Sequence, residues 1–331
     1  MMKIFVAGGS GAIGRPLVRE LVAAGHEVTA MTRREERRAE LEALEADVVH
    51  CDVFDHDRLL EGVADSDPDV VINELTNLPQ SLDPRKLSEA YAANNRVRLE
   101  GTRNLLEAAR AAGARRMIAQ SAAFWYAPDS GVRGGSGAWA TEDDPMFVDC
   151  PPPVGQAAET MAAVEQLVLG DAQVEGVVLR YGIFYGPGTW YAAEGDIAEQ
   201  VRRRRYPIIG RGEGFTSFVH IEDAARATVA ALDGAPGIYN VVDDEPARIR
   251  EWLPEFARAL GAKPPRRVPE WLVRPLAGKG PLVWMRSCPG ASNAKAKGEL
   301  GWRPRFPSWR RGFAESLAEP PAGDILSAHG R

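Results

Sequence analysis

Three cysteines in 331 residues are too few and too far apart for a disulfide framework. Cys51, Cys150 and Cys288 form no CxxC pair and have no histidine at ligand spacing. The five histidines are equally scattered, so no structural or catalytic metal is expected. No apolar stretch approaches the roughly 20 residues of a membrane-spanning helix. The N-terminus reads as a core strand with no cleavable signal, so no membrane partner and a cytoplasmic location are expected. Basic excess is also missing. Lys and Arg number 40 against 46 Asp and Glu, a formal net charge of −6, which removes the bulk electrostatic case for nucleic acid. Lysine is absent altogether between Lys86 and Lys263.

What is present is organised around the first fourteen residues, MMKIFVAGGSGAIG. Lys3 to Ala7 is a short apolar run suited to a buried parallel strand. Gly8, Gly11 and Gly14 follow at once, and then a helical pattern of Leu17, Val18, Leu21 and Val22. A strand that turns directly into a helix, with its backbone close to a pyrophosphate held on the helix N-terminal amides, needs glycine at such positions. Gly8 makes the tight turn, Gly11 leaves room for the phosphates, and Gly14 lets the helix approach the sheet. Ser10, Ala12 and Ile13 complete the expected dinucleotide loop.

Strands are expected at residues 26–32, 47–50, 69–75, 116–121 and 176–180, alternating with helical patterns. That alternation predicts an α/β protein with a Rossmann-type, doubly wound parallel sheet. The helix holding Leu99, Leu105 and Leu106 is expected to run to Gly113. Residues 127–154 break the rhythm with glycine, proline and acidic residues, and read as a wall or lid over a substrate site.

The GxxGxxG spacing, with GTRNLLEAAR, LRYGIFYGPGT and FTSFVHIEDAARATVAAL, resembles the extended short-chain dehydrogenase/reductase (SDR) superfamily, which includes the NAD-dependent epimerases and dehydratases. The resemblance covers nearly the whole chain. It implies a nucleotide domain over residues 1–185, completed by about 212–245. It further implies a smaller α/β substrate domain from 186–211 and 246–318, with 319–331 as a tail. It also places Asp52 and Val53 at the adenine ring, and Glu74 and Leu75 where the family has small residues beside the cofactor. Asp52 reads equally as a helix N-cap. At the end of the second strand stand Thr32, Arg33 and Arg34, where NAD enzymes carry an acidic residue. Guanidinium groups there favour a 2'-phosphate and make NADP the expected cofactor; the alternative is that both arginines simply open an exposed helix.

The superfamily's usual catalytic pair, a tyrosine with a lysine four residues on, is missing: no tyrosine of this chain has such a lysine. Aligned on Glu165-Gln166-Leu167-Val168, the two positions hold Ala157 and Met161, as in the atypical SDR proteins. Ser121 stands where the family has a substrate-binding serine, or is a plain strand-end hydroxyl. Tyr126 is the nearest replacement acid, or an aromatic that packs the lid; without a lysine its phenol is expected to keep an ordinary pKa of about 10. Tyr185, Trp190 and Tyr191 fall where extended enzymes line their substrate pocket, which suggests a partly apolar or ring-bearing small molecule. The arginine run 202–205 suits a helix end better than an anion site, and His220 is expected to be structural. The sequence therefore predicts an NADP-dependent oxidoreductase working in the direction of reduction. An epimerase or dehydratase, or a non-catalytic NADP-binding redox sensor, stays open beside it. The family often dimerises through the helices holding Leu99 to Leu106 and Gln156 to Leu169, and the resemblance admits a homodimer.

Overall fold

The structure, a computed structural model, describes residues 1–79, 81, 87–131 and 139–318. Part of the expected lid (132–138) and the tail (319–331) therefore lie outside the described residues. The first half of the chain alternates strand and helix: β1 (Lys3–Ala7), α1 (Gly14–Ala23), β2 (Glu27–Thr32), α2 (Arg38–Glu42), β3 (Asp47–His50), α3 (His56–Asp65) and β4 (Val70–Asn73). Next come α4 (Leu87–Arg96), α5 (Thr102–Ala111), β5 (Arg116–Ala122), α6 (Val154–Leu169) and β6 (Glu175–Tyr181). Short elements follow: β7 (Ile183–Tyr185), α7 (Asp196–Arg202), β8 (Ile208–Ile209), β9 (Phe215–Thr216), β10 (Phe218–His220), α8 (Ile221–Ala230) and β11 (Gly237–Val241). The chain closes with β12 (Ala247–Arg248), α9 (Ile249–Ala259), β13 (Arg267–Val268), α10 (Glu270–Ala277), α11 (Lys279–Ser287), α12 (Ala294–Glu299) and α13 (Trp309–Ala318).

Seven strands form one parallel sheet in the order β11-β6-β5-β4-β1-β2-β3. Its central strands are apolar on both faces because helices cover both. Ile4 and Val6 of β1 pack with Leu17, Val18 and Leu21 of α1 and with α8. Phe5 and Ala7, one residue out of phase, pack with Leu59 and Val63 of α3 and Leu105 and Leu106 of α5. The chain leaves β1 for β2 on one side and returns to β4 on the other, which puts the topological switch point at the carboxyl ends of β1 and β4. Open α/β sheets bind their ligands at that crevice.

The helix expected to run unbroken to Gly113 is interrupted: Val97–Gly101 forms a π-turn between α4 and α5. An extra residue in a helical turn shifts the phase of the side chains beyond it, and here Val97 is buried while Leu99 is half-buried; such turns are frequent at functional sites. A second core, rich in aromatics, joins Tyr185, Tyr191, Phe218, Trp252, Phe256, Phe306, Trp309 and Phe313.

Candidate active site

Gly8 has φ +91°, a left-handed conformation that favours glycine, and a Cβ there would lie 2.9 Å from the Glu74 carbonyl oxygen. A Cβ on Gly14 would sit 2.1 Å from the Gly8 carbonyl oxygen. The protein's own packing therefore demands both glycines. Gly11 differs: a Cβ there would meet only the Gly8 oxygen, at 3.1 Å, and Gly11 and Ala12 are exposed at the start of α1, while Ile13 is buried beneath them. The missing side chain at Gly11 leaves space outside the fold at a helix N-terminus, which fits a pyrophosphate.

Ser10 and the close of β2 stand together beside the glycine loop. The Ser10 and Thr32 hydroxyls lie 2.8 Å apart, and Thr32 Oγ1 accepts from the Arg34 amide at 3.1 Å. That turn leaves Arg33 and Arg34 exposed beside the loop; Arg33 Nη2 donates to Asn77 Oδ1 at 3.0 Å. The helix expected to start at Arg34 begins instead as a 3-10 turn, Glu35–Arg37. Asp52 is exposed and accepts from the Phe54 amide at 3.0 Å, whereas Asp55 caps α3 by accepting from the Arg58 amide. The N-cap alternative for Asp52 is thereby corrected. Val53 is buried, and Leu75, half-buried, packs against the same core.

Ser121 and Tyr126 meet in one buried network. Ser121 Oγ donates to Glu165 Oε1 at 2.6 Å, and Arg180 clasps the same carboxylate. Arg180 Nη1 also donates to the Tyr126 hydroxyl at 2.8 Å, which in turn donates to Asn240 Oδ1 at 2.6 Å. Glu142, from the irregular segment, is tied in through the Asn240 amide to its Oε1 at 2.7 Å. The Ser121 hydrogen is thus engaged within the protein. The Tyr126 phenol does not keep an ordinary pKa: burial pushes it up to about 12, against the opposing pull of Arg180. Its ring is 1% exposed, so the structure favours the packing alternative over the acid. Ala157 and Met161 are buried on the inward face of α6, about two turns and one turn before Glu165 respectively.

Tyr185 and Tyr191 are enclosed in the aromatic core, with Tyr185 edge-on to Phe313 and Tyr191 edge-on to Trp252 and Phe256. These rings hold the second core together, and as placed they offer a substrate no surface. Trp190 is half-buried, and its Nε1 donates to the Pro79 carbonyl at 3.2 Å, bridging from the second region to the loop after β4. His220 caps α8 by accepting from the Glu222 amide, and burial lowers its pKa to about 4, as suits a neutral structural group. Arg202 and Arg203 close the end of α7 through the Ala193 carbonyl and Glu199.

Two residues beyond the expected set lie at the switch point. Glu74, 4% exposed directly after β4, accepts from the Tyr181 hydroxyl at 3.0 Å through Oε1, while its Oε2 has no partner among the described residues. Burial pushes its pKa up to about 8. Arg98, inside the π-turn, donates from Nη2 to Gln120 Oε1 at 2.9 Å, and its Nε has no partner among the described residues. The departure from small residues at position 74 was a visible sequence signal; nothing local marked Arg98. Among the described residues no cluster of His, Cys, Asp and Glu could hold a metal ion, and no helix is long and apolar enough to cross a membrane.

The sequence profile of the NAD dependent epimerase/dehydratase family matches residues 4–241. The chain is 43% identical over 314 residues to a 3-diazoavenalumate denitrifying reductase of a Streptomyces species, covering 94% of this chain and 99% of that protein. It is 30% identical over 270 residues to a 2-alkyl-3-oxoalkanoate reductase of Stenotrophomonas maltophilia, covering 79% and 76%. Among solved structures it is similar to the UDP-glucose 4-epimerase of Thermus thermophilus in complex with NAD, with a TM-score of 0.72, 26% identity and coverage of 95% and 97%. With its glycine loop at the switch point of a seven-stranded parallel sheet, the chain belongs to the NAD-dependent epimerase/dehydratase family of extended SDR proteins and is an NAD(P)-dependent oxidoreductase.

Proposed function

We propose that the protein is an NADPH-dependent reductase whose acceptor is a small aromatic molecule of the diazo-arene type. Residues 10–14 would hold the pyrophosphate, Ser10, Thr32, Arg33 and Arg34 the 2'-phosphorylated ribose, and Asp52, Val53 and Leu75 the adenine side of the cleft. When bound, the reduced nicotinamide supplies a hydride at the carboxyl ends of β4 and β5.

The observation that carries the reading is the pair Ala157 and Met161, buried and apolar on α6, together with a Tyr126 phenol already engaged by Arg180 and Asn240. Reduction of a ketone leaves an alkoxide that needs a proton from a placed acid. A diazo-arene places no such demand on the protein: hydride adds at the terminal nitrogen to give Ar–N=N–H, the N–H proton passes to water as the C–N bond breaks with its electron pair on carbon and N2 leaves, and water returns a proton to the ring carbon, so that ArN2+ and hydride give ArH and N2. The 43% relative named for a denitrifying reduction supports this acceptor class. Ser121 would then orient the acceptor through a lone pair, its hydrogen being held by Glu165. Residues 1–185 with 212–245 serve the cofactor in this reading, residues 186–211 and 246–318 the acceptor, with Trp190 at the junction. Two copies paired through α5 and α6 complete the reading for solution, and light scattering on the eluted protein checks it.

The test is an absorbance assay at 340 nm with NADPH and three acceptors: an ortho-diazophenol, a β-keto ester and a UDP-hexose. Net oxidation with the diazophenol supports the reading. Oxidation with the keto ester alone would replace it with a ketoreductase, and conversion of the sugar without net oxidation with an epimerase.

A further inference from the structure

We propose that Arg98 is the specificity-determining residue of the acceptor site, and that it takes the carboxylate of an aromatic acid. The inference deepens the reductase reading and rests on it for the place of the acceptor. Its own ground is the geometry at the switch point. The π-turn at Val97–Gly101 turns Arg98 toward Gln120, the neighbour of Ser121 at the end of β5. The side chain is half-buried, and its Nε is buried. Gln120 is neutral and occupies one nitrogen, while Nε lacks a partner among the described residues.

The second, independent observation is Glu74. Its carboxyl group is buried, with one oxygen unpartnered among the described residues, on the strand end whose carbonyl crowds Gly8. Two polar side chains, Glu74 just after β4 and Arg98 in the π-turn, therefore each hold a buried atom without a partner among the described residues, at the crevice where this reading puts the nicotinamide and acceptor. Buried orphan groups of this kind cost stability and mark a place where a further partner completes them. Glu74 does not neutralise Arg98 near pH 7, because burial keeps it protonated up to about pH 8. The other ionisable group facing Glu74 is Tyr181 on β6, held neutral by burial; Thr228 on α8 bonds Tyr181 and carries no charge. Burial lowers the Arg98 pKa to about 10, against the pull of Glu74, which leaves it charged near pH 7; its side chain bonds the neutral Gln120, and an anion is the complement that would complete it.

The experiment is calorimetric titration of the NADP-loaded full chain with trans-cinnamate and with its methyl ester. The acid should bind at least tenfold more tightly than the ester. Arg98→Gln should abolish that preference and Arg98→Lys should restore part of it, with NADP affinity and the circular dichroism spectrum unchanged in both. Acid binding should weaken several-fold above about pH 8, as Glu74 ionises beside Arg98, and should stay level in Glu74→Gln. Equal affinity for acid and ester, or a preference that survives Arg98→Gln, overturns the proposal. If cinnamate preference is found but no acceptor oxidises NADPH, the reductase reading falls while this site stands; oxidation without any acid preference gives the reverse.

Discussion

Arg180 and Glu165 form a two-point pair inside the protein, Nε to Oε1 at 2.8 Å and Nη2 to Oε2 at 2.6 Å. Both side chains are buried, and the pair binds α6 to β6 directly beneath Ser121 and Tyr126. Removing one partner leaves a buried charge uncompensated, at a cost of about 3–5 kcal/mol. Glu165→Ala should therefore lower the urea midpoint severely. Replacing both, as Glu165→Leu with Arg180→Met, should recover part of that loss. A single variant as stable as wild type would show that the pair contributes nothing.

Cofactor preference should follow Arg33 and Arg34. A charge-assisted contact to a 2'-phosphate is worth about 1.5–3 kcal/mol, so NADPH should bind roughly ten- to a hundredfold more tightly than NADH. Titration of both cofactors into wild type and into Arg33→Ala with Arg34→Ala checks this. The preference should disappear in the double variant.

Gly11→Val should prevent cofactor binding while leaving the fold intact. A Cβ there touches only the Gly8 oxygen, at 3.1 Å, so the sheet and α1 can still form. Gly14→Val is the contrast: its Cβ would lie 2.1 Å from backbone, so that variant should unfold. Thermal melts with and without NADPH separate the two, since only a binding-competent chain gains stability from ligand.

Much of this was legible in the chain. The glycine spacing and the alternating apolar runs dictate a doubly wound sheet, because a strand covered by helices on both faces has no polar side. The switch-point chemistry was less so. The π-turn shifts the phase of the helix by its extra residue: Leu99, read from the sequence on one face with Leu105 and Leu106, is only half-buried while Val97 is buried, and no residue type in the chain marks that shift. The Ser121, Glu165 and Arg180 network joins residues distant in sequence, and only folding brings them together. Tyr185 and Tyr191 read as pocket aromatics because they fall where the extended enzymes line their substrate pocket. Phe218, Trp252, Phe256 and Phe313 then enclose them in a core.

Glu74 also makes stability fall with pH. Its folded pKa is raised to about 8, against about 4.3 in an unfolded chain, so the folded state keeps a proton that the unfolded state releases. The contribution is complete below about pH 4 and is lost as pH rises through about 8, at no more than about 1.4 kcal/mol per pH unit. Denaturant melts of wild type and Glu74→Gln between pH 5 and 8 should diverge, with the variant gaining relative to wild type as pH rises. Parallel curves would place the carboxyl in an ordinary environment.

The central claim is a reduction that needs neither tyrosine nor lysine, and its most direct test is the balance of NADPH against N2. An ortho-diazophenol carrying nitrogen-15 in the diazo group is incubated anaerobically with enzyme and NADPH. Cofactor loss is followed at 340 nm and labelled N2 by mass spectrometry of the headspace. The account predicts one N2 released for each NADPH oxidised, at a rate untouched by Tyr126→Phe if that variant folds. Cofactor recovered in its reduced form with no N2 released would contradict it.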